Sequence, residues 1–287
     1  MSQIVTLRYV DTDTHDKVFN VYGLHYEDSE FERNLHHSEI TGKYREDNIG
    51  YRTKFDIDFM PLQNDKVSLF FLQDFFLSKD KRIVFSDPDE GIVDLDTLVS
   101  LRDENLNFDF MNQTYFANAF TLSFTTRSIY TVADDGSTRR IVLYYVPDDG
   151  ANENYYCNLE DDSSLIFLKR NLSFVGGGRD DLSFAFSHKL SIDFGEVKGI
   201  AKREWLRDFC LWGKKEVDTR QIDPVNGKVY SVVCLSEGVK WEFQNGVKNA
   251  LVTSLVFVEK DPRTESEIVN DAFIVDVDTT DSKVLGE

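Results

Sequence analysis

Lys54-Phe-Asp-Ile-Asp-Phe59 and Lys189-Leu-Ser-Ile-Asp-Phe194 are two spellings of one segment in a single chain. Each alternates apolar and polar residues with period two. One face is therefore suited to a core and the other to water, so both read as half-buried strands. Upstream, Val5-Thr-Leu-Arg-Tyr-Val10 answers to Ile141-Val-Leu-Tyr-Tyr-Val146 at an offset of 136 (141 − 5), against 135 (189 − 54) for the opening pair. Downstream, Leu72-Gln-Asp-Phe-Phe-Leu77 answers to Leu206-Arg-Asp-Phe-Cys-Leu211, and Asp87-Pro-Asp-Glu-Gly91 to Asp223-Pro-Val-Asn-Gly227. Leu106-Asn-Phe-Asp-Phe110 then answers to Val239-Lys-Trp-Glu-Phe243, and Leu122-Ser-Phe124 to Leu255-Val-Phe257, both at 133 (239 − 106, 255 − 122). Blocks that keep their order at nearly constant spacing imply one unit written twice.

Each unit reads as strand, long connection, strand, helix, hairpin and strands. The helices fall at Asn64 to Leu77 and roughly Ile200 to Trp212. Asn64 or Asp65 is placed to cap the first, and Gly213 to close the second in the left-handed conformation. Asp-Pro-x-x-Gly after each helix is turn chemistry, with Gly expected at positive φ in a bulged hairpin. The fold class is mainly β (α+β): two tandem β-sandwich or open-barrel units, each with one flanking α-helix. The first repeat covers 1–127, a linker 128–137, the second repeat 138–262, and an acidic extension 263–287. That extension carries seven acids against Arg263 and Lys283 and holds one candidate strand, Ala272-Phe-Ile-Val-Asp-Val277.

Composition narrows the function classes. The 287 residues include 51 acids and 32 Lys or Arg, a net charge of −19, which is wrong for an ordinary polyanion binder. No basic leader followed by an apolar run opens the chain, and no stretch of about 18 apolar residues occurs, so a soluble protein with no membrane partner is expected. Cys157, Cys210 and Cys234 are odd in number and lack CxxC spacing, which points to buried side chains in a reducing compartment. His36, His37 and Glu39 read as a solvated loop, Gly176-Gly-Gly178 before Arg179 as a flexible arm, and Asp11-Thr-Asp13 as an acidic turn. No nucleophile, phosphate loop, metal set or paired carboxylate stands out. The expectation is a protein that is not an enzyme, with no catalytic, metal or cofactor-binding residues.

A strand-rich unit with one helix after its second or third strand, a hairpin arm, and a closing pair resembles the tube-type domain of bacteriophage tails. The closing pair is exemplified by Val239-Lys-Trp-Glu-Phe-Gln244 and Ala250-Leu-Val-Thr-Ser-Leu-Val-Phe-Val-Glu259. That domain recurs in tail tube proteins, distal tail proteins and baseplate hubs. The resemblance implies a virion tail component made in the host cytoplasm, self-associating into a trimeric or hexameric ring and contacting neighbouring tail or baseplate proteins. Genomic DNA would pass through its lumen without specific binding, which an acidic wall favours. The other class left open is a carbohydrate-binding or adhesin-type double sandwich, for which Tyr144, Tyr145, Tyr155, Tyr156 and Trp241 would supply stacking surfaces.

Overall fold

The computed structural model describes residues 3–38, 43–87, 92–102, 109–111, 114–147, 153–159, 166–168, 173–176, 185–186, 188–198, 200–225, 227–243, 249–252, 254–261 and 263–264. The candidate strand at Ala272–Val277 lies outside these, as do Glu39, most of the Asp87 turn and Gly177 to Arg179. The first half holds β1 (Gln3–Val10), β2 (Thr14–His37), β3 (Tyr44–Phe59), β4 (Leu62–Gln63), α1 (Lys66–Leu77), β5 (Asp80–Asp87), β6 (Ile92–Leu101), β7 (Asp109–Met111), β8 (Thr114–Ala117) and β9 (Phe120–Thr126). The second holds β10 (Arg139–Pro147), β11 (Glu153–Leu159), β12 (Ile166–Leu168), β13 (Ser173–Gly176), β14 (Ala185–Phe186), β15 (His188–Ile192), β16 (Glu196–Lys198), α2 (Ile200–Leu211), β17 (Lys215–Gln221), β18 (Val229–Cys234), β19 (Gly238–Phe243), β20 (Asn249–Val252), β21 (Leu255–Glu259) and β22 (Arg263–Thr264). The protein is mainly β with two sheet units, each accompanied by one helix.

In the first unit the ladders run in a circle. β1 pairs with β5, then β6, β9, β3 and β2 follow, and β2 returns to β1, all antiparallel. Closure removes the exposed strand edges that an open sheet would present. The alternation seen in the sequence now has a direction: Val5, Leu7, Tyr9, Phe55, Ile57, Phe59, Leu122 and Phe124 point inward, and Leu72 and Phe75 of α1 join them in one core. Asp65 starts that helix by accepting a hydrogen bond from the Ser68 amide at 3.0 Å.

Among the described residues the second unit is an eight-stranded sheet in the order β12-β11-β10-β17-β18-β21-β15-β13, with Leu168 of β12 bridged to Phe194 just past β15, and Leu206 and Phe209 of α2 are buried over it. From β3 onward it repeats the first, pair for pair. Phe55 faces Phe124 where Leu190 faces Phe257, Ile83 faces Thr97 where Val217 faces Tyr230, and Leu101 faces Phe124 where Cys234 faces Phe257.

Four local expectations need correction. The first aligned block does not carry over, because β1 is antiparallel to β5 whereas β10 is parallel to β17. Both blocks alternate because both have one buried face, and a period of two holds no information about direction. The long connection before β3 is instead the 24-residue strand β2. Gly213 is not left-handed: its amide donates to Asp134 Oδ2 at 2.8 Å, and a Cβ there would meet that oxygen at 2.7 Å. Gly227 also lacks positive φ and is required because a Cβ would run into the carbonyl oxygens of Asp223 and Thr219.

Candidate assembly surfaces

The residues singled out in the sequence scatter. Asp11 and Asp13 sit in the tight turn between β1 and β2, where the Asp11 amide donates to the Asp13 carbonyl at 3.2 Å. His36 and His37 are on strand β2 rather than in a loop, because Arg45 and Tyr44 of β3 pair with them. His37 stacks on Tyr44, and His36 Nε2 lies 3.8 Å from an Asp47 carboxylate oxygen. Tyr144 and Tyr156 are cross-strand neighbours, each half-buried. Among the described residues no three His, Cys, Asp or Glu side chains gather as a metal site, and no helix is long and apolar enough to cross a membrane.

What the chain builds instead is a seam between its two units. β1 covers β2 only as far as Val21, so the rest of the β2–β3 hairpin overruns the barrel as an arm. The arm joins the second unit through its backbone: Gly238, Val239 and Lys240 of β19 pair with Glu30, Ser29 and Asp28, and the Phe31 amide donates to the Glu237 carbonyl at 2.8 Å. One nine-stranded sheet therefore runs from the barrel through β2 into β19, β20 and β16. Phe31 is buried in the core of the second unit, not the first, and Tyr51 packs against the same cluster. The Arg207 guanidinium lies 4.2 Å from the centre of the Tyr51 ring, within cation–π range.

Polar chemistry locks this contact. Glu46 of the arm accepts from Lys215 Nζ, which also donates to the Trp212 carbonyl at 2.6 Å. Arg33, also on the arm, approaches Glu46 at 3.8 Å and donates to the carbonyls of Cys234 and Ser236. All three charged side chains are buried, with exposures of 6% for Arg33, 3% for Glu46 and none for Lys215. Burial pushes the Glu46 carboxyl above its ordinary value, opposed by Lys215 and Arg33, so its charge depends on both cations.

The three cysteines are buried in the second core, Cys210 on α2 and Cys234 on β18 near enough to influence each other electrostatically. Burial raises both of these thiols. At Cys234 the interaction with the Cys210 thiol and the charges of Arg33 and Lys215 outweigh it and lower the thiol. Their burial follows from their apolar surroundings in the sequence, whereas their nearness to each other and to two cations was not readable. Nothing in local pattern links Arg33, Glu46 and Lys215, whose ion pairs span 13 and 169 positions of chain (46 − 33, 215 − 46).

The connection between the units is held as firmly. Asp134 and Asp135 form successive turns, their carboxylates accepting from the amides of Gly136 and Ser137 at 2.7 and 2.8 Å. Trp212 Nε1 donates to the Ser137 carbonyl at 2.8 Å, and Tyr130 bridges to Tyr51. Among the described residues, β16 ends the nine-stranded sheet, and β12 and β13 end the eight-stranded one, with Leu168 of β12 also bridged to Phe194. The exposed apolar side chains of α1 belong to the first half.

No protein-family model matches the sequence, and a search of curated proteins returns no significant relative.

Proposed function

We propose that the protein is a structural, non-enzymatic component of a phage tail, a tube, distal tail or hub ring through which DNA passes. The observation that carries this reading is the seam. A chain that already joins one copy of its unit to the next through a continuous sheet, a shared aromatic core and a buried ion cluster contains one step of a ring. A repetition of that step between chains would let three two-unit chains form a ring with local six-fold character, whereas six whole chains would form a larger one. An apolar outer face on α1, with Val67 and Phe70 exposed where α2 carries Ala201 and Glu204, makes the two ends of the chain unlike. Unlike ends are what a head-to-tail, heterologous contact requires. The net charge of −19 supports a conduit that DNA does not stick to.

Mass photometry and negative-stain microscopy of the purified full chain test the reading. Rings or stacked tubes are expected. A species that stays a single chain at the highest soluble concentration, and that is missing from assembled virions, would overturn it.

A further inference from the structure

The duplication provides an internal comparison for the end of α1. At the end of α2, Lys215 Nζ donates to the Trp212 carbonyl; at the end of α1, Lys81 Nζ donates to the Ser78 carbonyl. Both residues match at an offset of 134 (215 − 81, 212 − 78), so the two lysines hold the same place. In the second unit this end is covered by the first unit's arm. Leu211 is 3% exposed, its carbonyl accepts from Asn48 Nδ2 at 2.7 Å, and Lys215 holds the arm's Glu46.

The same end of α1 has no such cover among the described residues. Leu77, the counterpart of Leu211, is 77% exposed. Lys81 is half-buried, which lowers its pKa, and no carboxylate among the described residues pairs with it. Beside Leu77 opens a hollow of about 840 Å³, lined among others by Tyr9, His15, Asp74 and Lys79. The outer face of α1 continues the patch with exposed Val67 and Phe70, whose counterparts on α2 are Ala201 and Glu204. The fold does not need an apolar outer face on this helix, since α2 manages with a polar one. Exposed apolar surface of this kind marks a contact.

We propose that the end of α1, with Val67, Phe70, Leu77 and Lys81, is the docking site for a second copy of this chain. The second unit of that copy lies against it as the first unit lies against α2. The inference rests on the ring reading and specifies its contact. Two chains at −19 repel each other, so the contact depends on local burial of the apolar surface beside the half-buried Lys81 cation.

Sedimentation velocity of the full chain, with a thermal melt of each variant, tests the site. Phe70→Glu places a charge on a 61% exposed side chain and so spares the fold, while Lys81→Glu reverses the socket. Glu204→Lys on the outer face of α2 is the control. Wild type and control are expected to assemble alike, and both α1 variants to associate at least about tenfold more weakly, with Phe70→Glu melting like wild type. Rings that survive both α1 substitutions, or a control that dissociates equally, would overturn this site and leave the ring reading standing. A wild type that never assembles would overturn both.

Discussion

The Glu46–Lys215 pair allows a quantitative test of the seam. Glu46→Gln removes the carboxylate and strands Lys215, a cation with no exposure, on the Trp212 carbonyl alone. Breaking a buried pair from one side costs about 3–5 kcal/mol, because the remaining charge is left desolvated, and this case belongs at the upper end. Lys215→Met leaves Glu46 with Arg33 at 3.8 Å, so about 3 kcal/mol is expected. The double substitution removes both charges together and should cost less than either single change, in the way that buried pairs replaced by apolar groups are often near neutral. In a chain of this size each kcal/mol moves the melting temperature by roughly 2 °C. Urea unfolding followed by tryptophan fluorescence is the assay. Trp205, Trp212 and Trp241 all lie in the second half, so the signal reports the side of the seam where Lys215 is buried. Additive single costs, or single costs below about 1 kcal/mol, would refute the claim that these charges hold the units together.

Phe75→Ala and Phe209→Ala empty equivalent, fully buried positions and should each cost about 3–5 kcal/mol by chemical denaturation; a cost below about 1 kcal/mol would mean the helix faces are misassigned. The Asp65 carboxyl is held below its ordinary value by hydrogen bonds from the Ser68 side chain and amide. Its stabilisation is therefore present above the ordinary aspartate pKa of about 4 and lost as pH falls through the lower folded value. Asp65→Ala should cost about 1 kcal/mol at pH 6, and the gap to wild type should close in acid. The three buried cysteines should resist an aromatic disulfide reagent in the native protein and all react in denaturant; rapid native labelling of Cys234 would show that its lowered pKa comes with access.

The part of the fold that could be read in the sequence is the part whose cause is local. Lys54–Phe59 and Lys189–Ile192 alternate because each strand has one buried face, and Asp65 and the pairs Leu72/Phe75 and Leu206/Phe209 mark helices by caps and spacing. Strand direction is set by a partner elsewhere, which is why Val5–Val10 and Ile141–Val146 look alike and run oppositely against their neighbours. The arm carries no local signature for a related reason. Around Glu30-Phe-Glu-Arg33 only Phe31 is apolar, since the arm docks largely through backbone pairing and buried ions whose partners lie in the other half of the chain.

The seam also imposes a timetable on synthesis. Arg33 donates to the carbonyl of Cys234, 201 residues later, and Phe31 has no core to enter until the second unit exists. At about 5–20 residues per second, the tip of a nascent β2–β3 hairpin waits roughly 10–40 seconds for β19 and β18 to be made. The barrel can close meanwhile, because every strand of it is complete by Thr126. During that interval the arm is an unpaired edge on a ribosome-bound chain, the kind of surface that seeds aggregation. The charges along it, Glu30, Glu32, Arg33, Glu46 and Asp47, then act as gatekeepers against premature pairing, before Arg33 and Glu46 take up their buried places.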